Sequence, residues 1–284
     1  MTDRNSSRLF PGIVIGVFIA LSAFFGLMWS SSGQGPYATG ALNSFDARFL
    51  QVLGAIPSGR VRVVGRNPET KMTDETVWPG DGMRPQPSSP VMMTVQSDDA
   101  DDTAGGSGLE SVRITCLDGF YVEFTEDLAM DGLTPVAMTS PCFRVQEMTG
   151  LVATESNEGA VTLTDNTQTV IYELIGVEAG VGDGRSHSLT FTVPDGMVAV
   201  AATVRMFPGN DHVRVAIRSK VPGMARQTET FSINGIPFFF PSDECLPEHT
   251  DLDGVARNGS GAASGVSLEM TASVVLAEGT GICP

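Results

Sequence analysis

Apolar residues follow two regimes along this chain. From Phe10 to Trp29 they run nearly unbroken; after residue 57 they come in short alternating bursts separated by turn residues. Twenty helical residues extend about 30 Å, the thickness of a bilayer's hydrocarbon core. The run containing Ile13, Val14, Ile15, Phe18, Ile19, Leu21, Phe24, Phe25, Leu27 and Trp29 therefore predicts an apolar, transmembrane-like anchor helix over residues 10–29. Leu42, Phe45, Phe49, Leu50 and Leu53 recur at helical spacing and predict a short amphipathic helix over 41–54. A Ser/Gly-rich linker precedes it.

Beyond Pro57 the period changes from helical to two. Runs such as Arg60–Val64, Val91–Val95, Ser111–Cys116, Phe120–Phe124, Ala160–Thr164, Thr169–Ile175, Ser188–Val193, Met197–Met206, His212–Arg218, Gln227–Ile233 and Val266–Leu276 read as strands. Between them lie turn signals: Pro79-Gly-Asp-Gly82, Asp118-Gly119, Asp131-Gly132, Asp195-Gly196, Pro222-Gly223 and Asn234-Gly235. Strands without intervening helices indicate a mainly β fold, read as two β-sandwich or jelly-roll modules. The organisation predicted is a tail at 1–9, the anchor at 10–29, linker and short helix at 30–56, a first module at 57–157 and a second at 158–284.

Charge places the segments. Arg4 and Arg8 precede the apolar run, and no charge occurs between Arg8 and Asp46. The positive-inside rule then puts the N-terminus in the cytoplasm and the C-terminal region outside. A retained signal anchor fits better than a cleaved signal peptide, because the run is long and no Ala-x-Ala follows it. A third alternative is a bundle of such helices from several copies, for which Gly12 and Gly16 would permit close approach. The net charge of −16 argues against nucleic acid as a partner.

The remaining chemistry is sparse. Cys116, Cys142, Cys245 and Cys283 fall as two pairs, so disulfides 116–142 and 245–283 stand against four buried free thiols. Asp98, Asp99, Asp101 and Asp102, followed by Gly-Gly-Ser-Gly, offer carboxylates for calcium. They lack the Asp-x-Asp-x-Asp-Gly order of an EF-hand, and a solvated turn is the competing reading. Asp251-Leu-Asp253-Gly-Val-Ala-Arg-Asn258 raises the same two readings. Phe238, Phe239 and Phe240 are either a strand buried on both faces or aromatic anchors of a subunit contact. The histidines, His187, His212 and His249, are isolated in sequence, and no nucleophile elbow, P-loop or His-Glu-x-x-His occurs. No enzymatic activity and no cofactor are expected.

Four groups of segments carry a resemblance. They are Val64-Gly-Arg-Asn-Pro-Glu with Glu75-Thr-Val-Trp-Pro-Gly-Asp-Gly; Ser97 to Gly108; Cys116-Leu-Asp-Gly-Phe with Pro135-Val-Ala-Met-Thr-Ser; and Leu189-Thr-Phe-Thr-Val-Pro-Asp-Gly. In texture, residues 60–280 resemble β-rich virion structural proteins of marine bacteriophages; residues 1–55 depart from that pattern. The resemblance implies a non-enzymatic virion component: a capsid-associated spike, fibre, decoration or coat subunit. Its partners would be copies of itself and other virion proteins, with the bilayer as a further partner of residues 10–29. The anchor and charge asymmetry favour instead a membrane-anchored extracytoplasmic binding or adhesion protein of a bacterium. A coat protein touching the inner bilayer of a membrane-containing virus is the third alternative.

Overall fold

The structure, a computed structural model, describes residues 58–151, 157–177, 184–208, 212–225, 227–234, 238–240, 245–258 and 266–278. The expected anchor at 10–29, the short helix at 41–54 and Cys283 lie outside the described residues. The described chain is mainly β, and none of its helices is long and apolar enough to cross a membrane.

All sheets are antiparallel. One joins β1 (Ser58–Thr70), β17 (Val266–Glu278), β11 (Met197–Pro208) and β14 (Phe238–Phe240) in that order, with β15 (Cys245–Leu246) also on β11. A second joins β10 (Thr190–Thr192), β16 (Asp251–Asn258), β12 (His212–Lys220) and β13 (Gln227–Asn234), with β2 (Glu75–Thr76) on β16. Residues of both sheets meet in common apolar clusters. Leu268 and Met270 of β17 pack with Val213 and Val215 of β12, and Val274 and Leu276 with Phe191 of β10. Full burial of each such side chain stabilises the fold by about 1.5–3 kcal/mol.

Strands between these are nested. β3 (Met93–Ser97) lies between β6 (Val136–Ala137) and β8 (Val161–Asp165), and β9 (Ile171–Ile175) follows β8. A further sheet sets β4 (Ser111–Leu117) between β5 (Glu123–Ala129) and β7 (Arg144–Gly150). Met93, Val95, Val161 and Leu163 share a core with Val112, Ile114, Val145 and Met148. The expected division at 157/158 falls between β7 and β8. Across it β3 pairs with β8, and β1 pairs with β17 from Ser58↔Ala277 to Thr70↔Val266.

Local chemistry explains where elements break. Pro68 lacks an N–H, and the β1–β17 register shifts between Asn67 and Thr70. Asn67 Oδ1 accepts the Glu69 amide there at 2.9 Å. Phe120–Phe124 was expected as a strand, but β5 begins only at Glu123. Asp118 Oδ1 accepts the amides of Phe120 and Val122 at 2.8 and 3.0 Å, and Tyr121 sits at φ 63°. This side-chain cap offers the backbone a turn in place of the ladder. Residues 251–258, weighed as a cation loop or turn, instead form the inner strand β16, paired with β12 from Lys220↔Asp251 to Val213↔Asn258. The Val-Ala core of that segment outweighs its polar ends.

Cys116 and Cys142 form a disulfide, with Cα atoms 5.7 Å apart and a sequence separation of 26. It closes one of the two expected pairs, and both residues are fully buried in the inner core. Loop-closure entropy assigns the bridge about 3.5 kcal/mol. A Cys116→Ala/Cys142→Ala double variant should lose about that much in urea unfolding, and reductant should destabilise the parent protein by more than the variant.

Asp165 caps the β8–β9 turn. The Thr167 hydroxyl and the amides of Val170 and Thr169 hold its carboxyl below the ordinary value. A carboxylate depressed in the folded state stabilises above its unfolded pKa and loses that contribution as pH falls through the folded one. Asp165→Asn should therefore lower stability at neutral pH and reduce its fall on acidification below the ordinary carboxylate range. Urea midpoints measured across that range would check both effects.

Candidate functional site

The four acidic residues of the 97–108 loop do different things. Asp102 is fully buried, and both its oxygens are occupied. Oδ1 accepts the amides of Leu109 and Glu158 at 2.7 and 2.9 Å; Oδ2 accepts the Gly159 amide at 3.0 Å and the Ser97 hydroxyl at 2.5 Å. Asp98 Oδ1 accepts the Ala160 amide at 2.6 Å, and Asp99 Oδ1 the Asp101 amide at 2.9 Å. The loop carbonyl of Asp101 accepts Thr103 and Gly108 amides at 3.0 and 3.1 Å. These carboxylates thus point to separate backbone partners, and Asp102 ties the loop to the turn before β8.

Phe238, Phe239 and Phe240 form β14, with register partners Met206, Arg205 and Val204 on β11. Their backbone lies in the same sheet as β1.

Polar side chains join the two strand groups. Arg84 is buried between them: Nε donates to Tyr172 O at 2.6 Å, Nη2 to Val145 O at 3.1 Å and to Glu173 Oε2 at 2.7 Å, and Nη1 to the Thr190 hydroxyl. The Ser188 hydroxyl donates to the other Glu173 oxygen. Burial pulls Arg84 below and Glu173 above their ordinary values, against the attraction each has for the other. Nearby, Arg144 on β7 grips Asp251 on β16 through Nε and Nη2 at 3.0 and 3.2 Å. Gln146 and Thr192 exchange two hydrogen bonds of 2.6 and 2.9 Å.

One surface cluster gathers residues far apart in sequence. The Tyr121 ring stacks on His249 with centroids 4.1 Å apart and planes 14° apart, and meets Phe143 edge-on at 5.3 Å. The Arg144 guanidinium lies 4.0 Å from the Phe143 ring centroid. His249 Nε2 is 2.9 Å from Asp195 Oδ1. Among the described residues, Asp195, Glu248 and His249 bring ligand atoms within 4.8 Å of one another. Beside Tyr121, Phe120 is 80% exposed and Val122 52%. Sequence reasoning had separate signals for these parts: the Asp195-Gly196 turn and an isolated His249. It had none for their meeting, because Asp195 and Glu248 lie 53 positions apart and no fixed spacing marks the set.

No family model matches the chain, and neither does any curated protein. Among solved structures, a structure of the Gt strain of infectious bursal disease virus aligns at 12% identity, covering 80% of this chain and 74% of that one, with a TM-score of 0.23. The VP2 subviral particle of the same virus aligns at 11% identity over 84% and 78%, with a TM-score of 0.24. T=1 particles derived from it align at 12% identity over 86% and 77%, with a TM-score of 0.23. At such TM-scores the likeness does not establish a common fold.

Proposed function

We propose that this chain is a non-enzymatic virion structural protein of a bacteriophage-like particle, acting through self-assembly as a capsid-associated spike, fibre, decoration or coat subunit. In this reading its two strand groups are β-sandwich modules, and residues 10–29 anchor them to a bilayer or to symmetry mates. The observation that supports it is the mainly β architecture of the described residues, built from antiparallel sheets with one group of strands nested within the other. The texture of residues 60–280 supports the viral setting. Oligomerisation follows from symmetry, since particle subunits work through repeated interfaces, and Phe238, Phe239 and Phe240 are the proposed contact strand.

Membrane-anchored extracytoplasmic binding or adhesion is the second reading, favoured by Arg4 and Arg8 ahead of an uncharged run. Mass spectrometry of purified particles and of host membranes separates the two. Presence in particles at fixed stoichiometry is the expected result; presence only in the membrane fraction overturns the viral reading. Mild detergent then tests the anchor, since it releases a lipid-embedded helix and leaves a protein-packed one in place.

A further inference from the structure

We infer that Asp195, Glu248 and His249 form a binding site for one divalent transition-metal ion of the zinc or manganese kind, independent of the virion reading. The ligand set is two carboxylates and an imidazole, which suits these ions; calcium prefers oxygen alone. His249 Nε2 and Asp195 Oδ1 share a hydrogen bond of 2.9 Å; ligands about 2.1 Å from one ion lie about 3.0 Å apart in octahedral and about 3.4 Å apart in tetrahedral geometry, so the two atoms need part by at most about 0.5 Å for an ion to replace the shared proton. A carboxylate oxygen of Glu248 lies within 4.8 Å of a ligand atom of each of the other two, and its rotatable side chain can close on the ion.

The supporting frame is built before any ion arrives. The turns carrying the ligands are laced together: Val193 N donates to Thr250 O at 3.0 Å and His249 N to Val193 O at 2.8 Å. Asp195 N donates to Tyr121 O at 3.0 Å, and Glu248 Oε2 accepts the Gly196 amide at 3.0 Å. Stacking on Tyr121 fixes the imidazole plane while its Nε2 faces Asp195. Such outer contacts orient metal ligands and reduce the ordering left for binding. The Asp195 and His249 side chains are 52% and 27% exposed, which leaves an entry path and room for water to complete the coordination. Coordination needs the Nε2 lone pair, so the imidazole proton resides on Nδ1 in the bound state.

The test uses the full chain, stripped with chelator and titrated calorimetrically with Zn2+, Mn2+ and Ca2+ in turn. Saturable binding of one Zn2+ per chain at micromolar concentration is expected, with Ca2+ much weaker. His249→Gly should weaken Zn2+ binding by about tenfold or more. Glycine accepts the φ of 64° at this position, so the turn is kept. Glu248→Gln should weaken binding similarly, and matching urea midpoints of the metal-free variants would establish that they fold. Absence of both Zn2+ and Mn2+ binding, affinity unchanged in both variants, or Ca2+ bound as tightly as Zn2+ would each overturn the site.

Discussion

Replacing Arg84 by Met should destabilise the protein by about 3–5 kcal/mol, because it leaves the Glu173 carboxylate buried without its counter-charge. Both side chains are fully buried, so water cannot take over. The same change removes donors from Tyr172 O, Val145 O and the Thr190 hydroxyl. For a described region of this size the loss corresponds to roughly 10 °C in Tm. Differential scanning calorimetry would read it. A second variant makes the physical cause testable: Arg84→Met/Glu173→Leu removes both charges and should regain at least about half of the loss. If the double variant is as unstable as the single one, the hydrogen bonds to Val145, Tyr172 and Thr190 matter more than the charge pair.

Asp102→Ala is the other severe change, expected to cost about 4 kcal/mol. Four donors converge on this carboxylate, and each buried donor left without an acceptor costs about 1–3 kcal/mol, less when several relax together. The effect should also be local. The Ser97–Leu109 stretch is pinned to Glu158 and Gly159 by this one side chain, so limited proteolysis should cut within 98–108 well before global unfolding. By contrast, Asp101→Ala should leave both the urea midpoint and the cleavage pattern close to the parent. A Ca2+-dependent rise in stability, abolished by Asp98→Asn, would instead revive the loop as a cation site.

Strand identity was legible because alternation is a local property. Ser111–Leu117, Met197–Pro208 and His212–Lys220 emerged within a few residues of their expected bounds. Strand partners were not, since a period of two says which side chains share a face but not which strand lies alongside. That is why the expected modules divide the chain once, at 157/158, while the pairing nests β3–β9 between β2 and β10. Arg84 shows the same limit from the chemical side. Within Met83-Arg84-Pro85 it reads as an ordinary loop cation, and only the fold brings Glu173 to it across 89 residues. Asp102 was singled out for its charge; its use as a hydrogen-bond hub depended on amides of residues 158 and 159. Residues 251–258 were misread for a related reason, because the acidic start, Asp251 and Asp253, drew attention from the apolar centre that β12 and β2 cover.

The pairing of β1 with β17 also dictates an order of events during synthesis. β1 is made before any other described strand, yet its partner in the sheet is the last of the described strands to leave the ribosome. The strands from β3 to β9 find all their ladder partners among themselves, so that inner body can close while the chain is still growing. β1 must meanwhile wait with an unpaired edge, the kind of surface that recruits foreign strands. Ribosomes stalled once residue 177 has emerged from the exit tunnel should therefore carry a protease-resistant core with β1 still cleavable, and protection of β1 should arrive only once residues 266–278 have emerged.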